Sequence, residues 1–286
     1  MHLEIISLES SLTSTKPSYS RFADIQQKII HSTDPNVLVH INIETRLGLS
    51  FLFCISTLPL LAQSHGKRIQ IFCNKKSQQL FCNGGYIPEE LRNQENSDIA
   101  PYLETSARVI TDVNDVLTLV TEIKKDAPVK MSEKVAEIFT SRAGEMYNNS
   151  IEHSEGEYVI GGKYFKNQKN KYCFACYDTG IGIPQKVVCN VNSNFTDREA
   201  FAWALKRGNS TANCSSGIFV PRGLGLDMLR SFAKANDGSI RVCSGKTMYM
   251  YNNKKGEQYF ELNTSFVGTL FEMDIIADNH HVYVLK

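Results

Sequence analysis

The sequence has almost no net charge, because 31 lysines and arginines offset 30 aspartates and glutamates, which leaves +1 over 286 residues. A chain this neutral has no overall field to attract a nucleic acid or an anionic membrane, so neither is expected as a partner. Long apolar runs are also missing. The best candidate, residues 47–62, contains Gly48, Ser50 and Pro59 and is shorter than the roughly 20 residues of a spanning helix. We expect a buried core helix there.

Eight cysteines are present, but neither a secretory signal nor a zinc-site spacing accompanies them. The opening MHLEIISLES has an early glutamate in place of a basic start followed by an apolar run. Cys173 and Cys176 form a CxxC within an apparent strand, where alternation points them to opposite faces. No second CxxC or histidine pair completes a zinc site. We therefore expect reduced, mostly buried thiols in a cytoplasmic protein.

The chain divides into two α/β halves by pattern. Strand-like segments at 36–44 and 67–74 flank an apolar helix at 45–64, which indicates a small α/β domain. The polar stretch LRNQENSD at 91–98 then interrupts this pattern. The predicted organisation is a small domain at 1–105, a linker at 106–130, a second domain at 131–277 and a tail at 278–286.

The second half begins with a long predicted helix at 132–153, for which Ser132 is a suitable N-cap. Strands at 157–165 and 171–178 follow, joined by the turn NQKN. A further helix starts near residue 224 and is expected to end at Gly238. The remaining predicted elements are a helix at 196–206 and closing strands near 239–244, 246–251, 257–263 and 267–276.

The long helix carries polar residues where stability alone does not explain them. At 100° per residue, one polar stripe comprises Glu145, Asn149, Glu152 and His153. The neighbouring apolar stripe comprises Val135, Phe139, Ala143 and Met146. The apolar stripe is suited to packing on a sheet, while the polar stripe either lines a cavity or faces solvent. Solvated faces favour lysine and glutamate over a pair of asparagines, which is an argument for the cavity.

The segment YDTGIGIP has an acidic residue at the end of an apolar strand. Asp178 needs a hydrogen-bond donor if it is buried, and a purine amino group is one such donor. Gly180 and Gly182 let the backbone approach a ligand closely, although a tight turn is the simpler explanation of this segment. The segment therefore indicates a base-binding loop or an ordinary turn.

The segment RGLGLDML places Gly223 and Gly225 at the start of a helix. A helix N-terminus has free N–H groups that suit a phosphate, although packing glycines at an ordinary helix start are the alternative. The irregular stretch at 207–222 is too long for a simple connection, and we interpret it as a lid.

In this order and on these elements, the three sets resemble the N, G1 and G2 boxes of the GHKL superfamily of ATP-binding domains. That superfamily includes DNA gyrase, heat-shock chaperone ATPases, sensor histidine kinases and mismatch-repair ATPases. The resemblance covers about residues 130–277, and SFVGTLFEMDI resembles the GT strand that closes such domains. It implies a two-layer α/β sandwich, of the Bergerat type, with a mixed, mostly antiparallel sheet and helices on one face.

The resemblance also assigns roles to residues. Asn149 would coordinate Mg²⁺, His153 would lie near the sugar and base, and Asp178 would accept a hydrogen bond from adenine. Glu145 corresponds to the acid that activates water or assists phosphoryl transfer. The remaining nucleotide-binding positions implied are Gly180, Gly182, Gly223, Leu224, Gly225, Leu226 and Thr269. Pro221 replaces the first glycine of the full GxGLGL pattern, which puts the phosphate contacts there in doubt.

The reaction is left open between three classes: a regulatory protein kinase acting on a protein partner, an ATPase whose lid closure drives homodimerisation or partner remodelling, and a module that signals by ATP or ADP occupancy alone. An orthodox histidine kinase is disfavoured, because no histidine in 108–140 provides the usual acceptor motif. EMYNNSIEHS resembles the N box of anti-sigma-factor kinases, and the N-terminal half is weakly similar to a STAS domain.

Overall fold

The computed structural model describes residues 4–9, 11–43, 47–77, 106–126, 131–153, 159–166, 171–206, 208–209, 211, 225–276 and 283. Within these ranges the backbone forms eight helices and eight strands, and the strands belong to two sheets. The α/β class expected from the sequence is confirmed. Most of the predicted lid and of the predicted tail lies outside the described residues, as do Gly223 and Leu224.

A three-stranded parallel sheet, ordered β1-β2-β3, forms the N-terminal unit. Its elements are β1 (Glu4–Glu9), α1 (Lys16–His31), β2 (Asn36–Asn42), α2 (Leu49–Ser56), α3 (Leu58–Ser64) and β3 (Arg68–Cys73). Strand β2 alternates along its length, with Val37, Val39 and Ile41 buried on one face. The strands predicted at 36–44 and 67–74 are therefore confirmed with slightly shorter bounds.

The apolar segment predicted as one helix at 45–64 consists of two helices, α2 and α3, that meet at Thr57. Pro59 lies in the first turn of α3, where a missing N–H is tolerated, but it would interrupt a continuous helix. Helix α2 is buried, as expected for a core helix, whereas α3 buries Leu58, Leu61 and Ala62 and exposes Leu60. No helix within the described ranges combines the length and apolar character needed to cross a bilayer.

A five-stranded antiparallel sheet, ordered β4-β5-β6-β8-β7, forms the larger unit. Its strands are β4 (Ser106–Val109), β5 (Val159–Lys166), β6 (Lys171–Asp178), β7 (Ser239–Asn252) and β8 (Gly256–Ile276). Its helices are α4 (Val113–Asp126), α5 (Glu133–His153), α6 (Ile183–Asn190), α7 (Asp197–Ala204) and α8 (Gly225–Ala235). Helices α4, α5 and α8 pack together on one face, which is the expected sandwich. Every described strand pair in it is antiparallel.

Residues 106–130, expected to be a linker, instead contribute β4 and α4 to this sheet and its helical layer. Strand β4 pairs with β5, and α4 buries Val116, Leu119 and Ile123 in the same cluster as α5. These apolar residues recur at helical spacing. The polar stretch at 91–98 suggested a domain boundary, and the residues that follow it were therefore interpreted as a linker.

The N-terminal unit covers the second face of the antiparallel sheet. Tyr19 and Phe22 of α1 contact Phe266 of β8, with ring centroids 6.4 and 6.2 Å apart. One hydrophobic cluster extends from Val39 in β2 to Ala175 in β6. The molecule is therefore layered as helices α4, α5 and α8, then the antiparallel sheet, then α1 and α2, then the parallel sheet.

Candidate functional site

Helix α5 presents the two predicted stripes. It begins at Glu133, and the hydroxyl of Ser132 accepts the N–H of Val135 at 3.4 Å, which confirms the predicted N-cap. The apolar stripe, Val135, Phe139, Ala143 and Met146, is buried. The polar stripe lies at the margin of the protein, because Glu145 and Asn149 are half-buried and Glu152 is exposed. The side chain of His153 lies outside the described part of the structure.

Contacts between α5 and β6 bring the polar stripe and Asp178 to the same end of the sheet. Phe139 packs on Phe174 with ring centroids 5.5 Å apart. Nearer the C-terminal end of α5, the hydroxyl of Ser150 accepts a hydrogen bond from the thiol of Cys176 at 3.4 Å. The helix and the strand therefore run in the same direction, and Asp178 follows Cys176 by two residues on the helix-facing side.

Asp178 is a buried carboxyl group at the end of β6, with 3% of its surface exposed. The backbone N–H of Gly180 donates to it at 3.1 Å, and the backbone of Thr269 also hydrogen-bonds to it. Burial raises the pKa of Asp178 to about 7, against the lowering effect of these two backbone hydrogen bonds. None of the ion pairs found among the described residues includes Asp178. Asp178 thus has acceptor capacity directed at the helix side of the sheet.

Glycines allow the backbone to close tightly around Asp178. Gly268 has φ +81°, and a Cβ there would lie 1.9 Å from the carbonyl oxygen of Asp178. Gly182 has φ +84°, and a Cβ there would lie 2.6 Å from the hydroxyl of Ser244. That hydroxyl accepts the N–H of Ile183 at 2.9 Å and donates to the carbonyl of Gly268 at 2.8 Å. Ser244 therefore joins the two glycine segments beside Asp178.

Helix α8 begins with Gly225 and Leu226. Only residues 236–238 separate α8 from β7, so the helix runs antiparallel to that strand. Strands β7 and β6 both run antiparallel to β8, and β7 starts opposite Asp274 close to the start of β6. The first turn of α8 therefore points to the end of the sheet where β6 ends at Asp178. The side chain of Leu226 is outside the described part of the structure.

Glu145, the predicted acid, is held by an ion pair on its own helix. The guanidinium Nη1 of Arg142 donates to its carboxylate at 2.9 Å, and the two side chains are 28% and 26% exposed. The Nε of Arg142 is buried and has no hydrogen-bond partner in the described structure. Arg142 was not predicted as a site residue, although its i, i+3 spacing to Glu145 is visible in the sequence.

The predicted site residues fall into two groups. In the first group, α5 with Glu145 and Asn149, the end of β6 with Asp178, the loop with Gly180 and Gly182, and Thr269 of β8 lie toward one end of the antiparallel sheet. The second group, namely the side chain of His153 together with Gly223 and Leu224, lies outside the described residues. Ser244, which binds the glycine segments, was not predicted, because nothing local in VCSGKT marks it. The two thiols of the CxxC do face opposite ways, since Cys173 donates to Asp274 at 2.6 Å and Cys176 to Ser150.

Comparison with known proteins adds no relative. No known family model matches this chain, and no curated protein sequence matches it.

Proposed function

We propose that this protein binds Mg-ATP at the α5, β6 and α8 end of its antiparallel sheet and acts in signalling as a regulatory protein kinase or ATPase of the GHKL type. The observation that carries the proposal is Asp178, a buried carboxyl whose donors within the described structure are backbone N–H groups. A buried acceptor of this kind is stabilised when a ligand supplies another donor. The exocyclic amino group of adenine is such a donor.

The base side of the proposed site is built on two glycines at which the chain packs tightly next to Asp178. Gly182 and Gly268 keep side chains away from the backbone next to Asp178, and Thr269 presents a hydroxyl 3.2 Å from that of Ser244. Replacing either glycine would force neighbouring parts of the protein apart, since a Cβ at each position would lie within 2.6 Å of one of its atoms. Gly180 contributes the N–H that orients the Asp178 carboxyl.

The phosphate side of the proposed site is formed by two helices. The amide oxygen of Asn149 suits Mg²⁺, which prefers oxygen ligands, and the first turn of α8 offers N–H groups that suit phosphate oxygens. Glu145 would act as the general base for the attacking water or hydroxyl. His153, Gly223 and Leu224 would contribute as their motif positions imply. Bound Mg²⁺ would offset negative charge on the phosphates.

The proposal includes a reducing, cytoplasmic location and a protein partner or substrate. All six cysteines of the described structure are free thiols, namely Cys54, Cys73, Cys173, Cys176, Cys189 and Cys243. Burial raises the pKa of Cys73 to about 12 and that of Cys54 and Cys243 well above the usual range, so these thiols are unreactive. Free, inert thiols fit a compartment in which disulfides do not form.

Calorimetry with ATP, with and without Mg²⁺, tests the site. We expect Asn149→Ala to lose the Mg²⁺-dependent part of the affinity, because it removes a metal ligand. Asp178→Asn should weaken ATP binding at least about ten-fold and reduce the preference for ATP over GTP. The matched control is Asn190→Ala, which removes an exposed amide on α6 that bonds only locally to Lys186. Unchanged affinity in both site variants contradicts the proposal.

Two further assays separate the reaction classes. Formation of ADP from Mg-ATP in the presence of co-purified protein distinguishes an ATPase or kinase from a binding module. Transfer of labelled phosphate to a co-purified protein distinguishes a kinase from an ATPase, and mass measurement with and without nucleotide tests for a homodimer.

A further inference from the structure

Strand β8 bulges where it passes Asp178. Thr269 pairs with Ser244 of β7, but the next residue of β7, Gly245, pairs with Phe266. Val267 and Gly268 therefore have no opposite residue in β7, and strand β6 ends at Asp178, opposite Thr269. Buried backbone groups without ladder partners need other hydrogen bonds.

Gln26 of α1 supplies those bonds. Its Oε1 accepts the N–H of Val267 at 3.0 Å, and its Nε2 donates to the carbonyl of Val267 at 3.3 Å. The same Nε2 donates to the hydroxyl of Tyr177 at 3.0 Å, and that hydroxyl donates to the Val267 carbonyl at 2.9 Å. The side-chain amide thus pairs with both backbone groups of Val267, as a neighbouring strand would.

A glutamine at this position is not explained by packing alone. Gln26 is 1% exposed and lies in the apolar interface next to Phe22 and Ile25. A buried amide is unfavourable unless its polar atoms are bonded, and an apolar side chain would leave the N–H of Val267 without the acceptor that Gln26 provides and the hydroxyl of Tyr177 without the donor. The position therefore selects a side chain with both a donor and an acceptor.

We infer that Gln26 is a positioning residue of the nucleotide site, which fixes the Val267–Gly268 bulge and the end of β6 and thereby orients Asp178 and Thr269 toward the base. This inference rests on the proposed function. Gln26 does not itself reach the ligand, because it lies on the opposite face of the sheet from α5. Helix α1 is then the link through which a change in the N-terminal unit reaches the base side of the site.

The variant Gln26→Met tests this inference, because it keeps the length and the helix preference of the side chain and removes its hydrogen bonds. The matched control is Gln27→Met, which removes a bond of the same kind from Gln27 to the carbonyl of Ser265, at 2.9 Å, further from Thr269. We expect Gln26→Met to weaken ATP binding about ten-fold and the control to change it less than about two-fold.

A second ligand separates positioning from general destabilisation. Purine riboside triphosphate lacks the amino group from which Asp178 would accept a hydrogen bond. The affinity of the protein for this ligand should therefore fall little in Gln26→Met. A structural role alone would weaken both ligands equally and leave the ratio of their affinities unchanged, which overturns the inference. If Gln26→Met does not fold, Tyr177→Phe removes two bonds of the same network, those of its hydroxyl to Gln26 and to Val267, and should change this ratio in the same direction.

Hydrogen exchange in the ligand-free protein keeps the two proposals distinct. The N–H groups of Gly180 and Thr269 bond to Asp178, and we expect both to exchange at least about ten-fold faster in Gln26→Met than in Gln27→Met. If the wild type fails to bind ATP, the proposed function is wrong. The exchange rates still show whether Gln26 keeps the N–H groups of Gly180 and Thr269 bonded to Asp178. Equal exchange in the two variants overturns the inference.

Discussion

At the scale of single residues, Asp178 makes stability depend on pH. Its pKa is raised from 3.8 to about 7 by burial in the folded protein, so the folded state binds the proton more tightly than the unfolded chain does. The free energy by which the protonated Asp178 carboxyl stabilises the folded state is fully present below about pH 4 and is lost as the pH rises through about 7. A shift of this size corresponds to about 4 kcal/mol.

We therefore expect the unfolding free energy of the ligand-free wild type to fall between about pH 5 and pH 8, and Asp178→Asn to remove most of that fall. Urea unfolding at the two pH values measures it. Asp112→Asn is the control, because Asp112 is exposed at the start of α4. Its carboxylate accepts hydrogen bonds from backbone N–H groups that an asparagine side chain can also accept. Equal pH dependence in wild type and Asp178→Asn would contradict the expectation.

Gly268 is a second position where one atom matters. In Gly268→Ala the added Cβ would meet the backbone of Asp178 at 1.9 Å, at φ +81°, so the bulge must shift. We expect a loss of at least about 3 kcal/mol in unfolding free energy, together with loss of ATP binding. Gly256→Ala is the matched control, since φ is +67° and no atom lies within 4 Å. It should lower stability by only about 1 kcal/mol. Similar losses in both variants would show that the close approach is not what matters.

The residues predicted from sequence are those that break a local rule. Asp178 ends a buried strand, and Asn149 is a weak helix former inside a long helix, so each stands out without any knowledge of the fold. Ser244 and Gln26 act through partners that are distant in sequence: Gln26 pairs with Val267, 241 positions away. Because a serine or a glutamine is unremarkable in its own segment, such roles become visible only when the strands are assembled.

At the scale of elements, prediction worked where the apolar period was clean. Helix α5, predicted at 132–153, begins at Glu133 and ends at His153, because a cap and an unbroken apolar stripe define it. Helix α1 was missed, and its buried face includes Ser18 and Gln26, two polar residues that disrupt the stripe. One of these two residues, Gln26, is also a residue that connects α1 to β8.

The closing strands show the same limit. Four strands were predicted over 239–276, whereas the chain forms two long ones, β7 and β8. The predicted break in β7 falls at Ser244 and Gly245, where the register shifts and Gly245 has φ +57°. A local irregularity was thus read correctly from sequence, but whether the chain stops or bulges there depends on the neighbouring strand.

At the scale of the whole molecule, a buried ionic network joins the two units. Glu272 of β8 accepts hydrogen bonds from Ser14 at 2.5 Å and from Ser50, in the first turn of α2, at 2.6 Å. Arg241 of β7 contacts Glu272 at 2.6 Å and Asp274 at 3.1 Å. Burial disfavours the charged guanidinium, yet Asp274 and Glu272 together raise the pKa of Arg241. With the shared hydrophobic cluster, this network indicates that the two units unfold together.

Glu272→Gln tests that cooperativity. It keeps the shape of the side chain but leaves Arg241 with one carboxylate, so we expect a loss of about 2–4 kcal/mol, spread over both units. Hydrogen exchange of peptides from β2 and β6 should give one common opening free energy in the wild type and a common decrease in the variant. Glu257→Gln, on the same strand, is the control: its partners Arg230 and Lys234 are partly exposed, so about 1 kcal/mol or less is expected. A lower opening free energy for β2 than for β6 in the wild type would mean that the N-terminal unit unfolds separately, and that α1 is not a fixed part of the site.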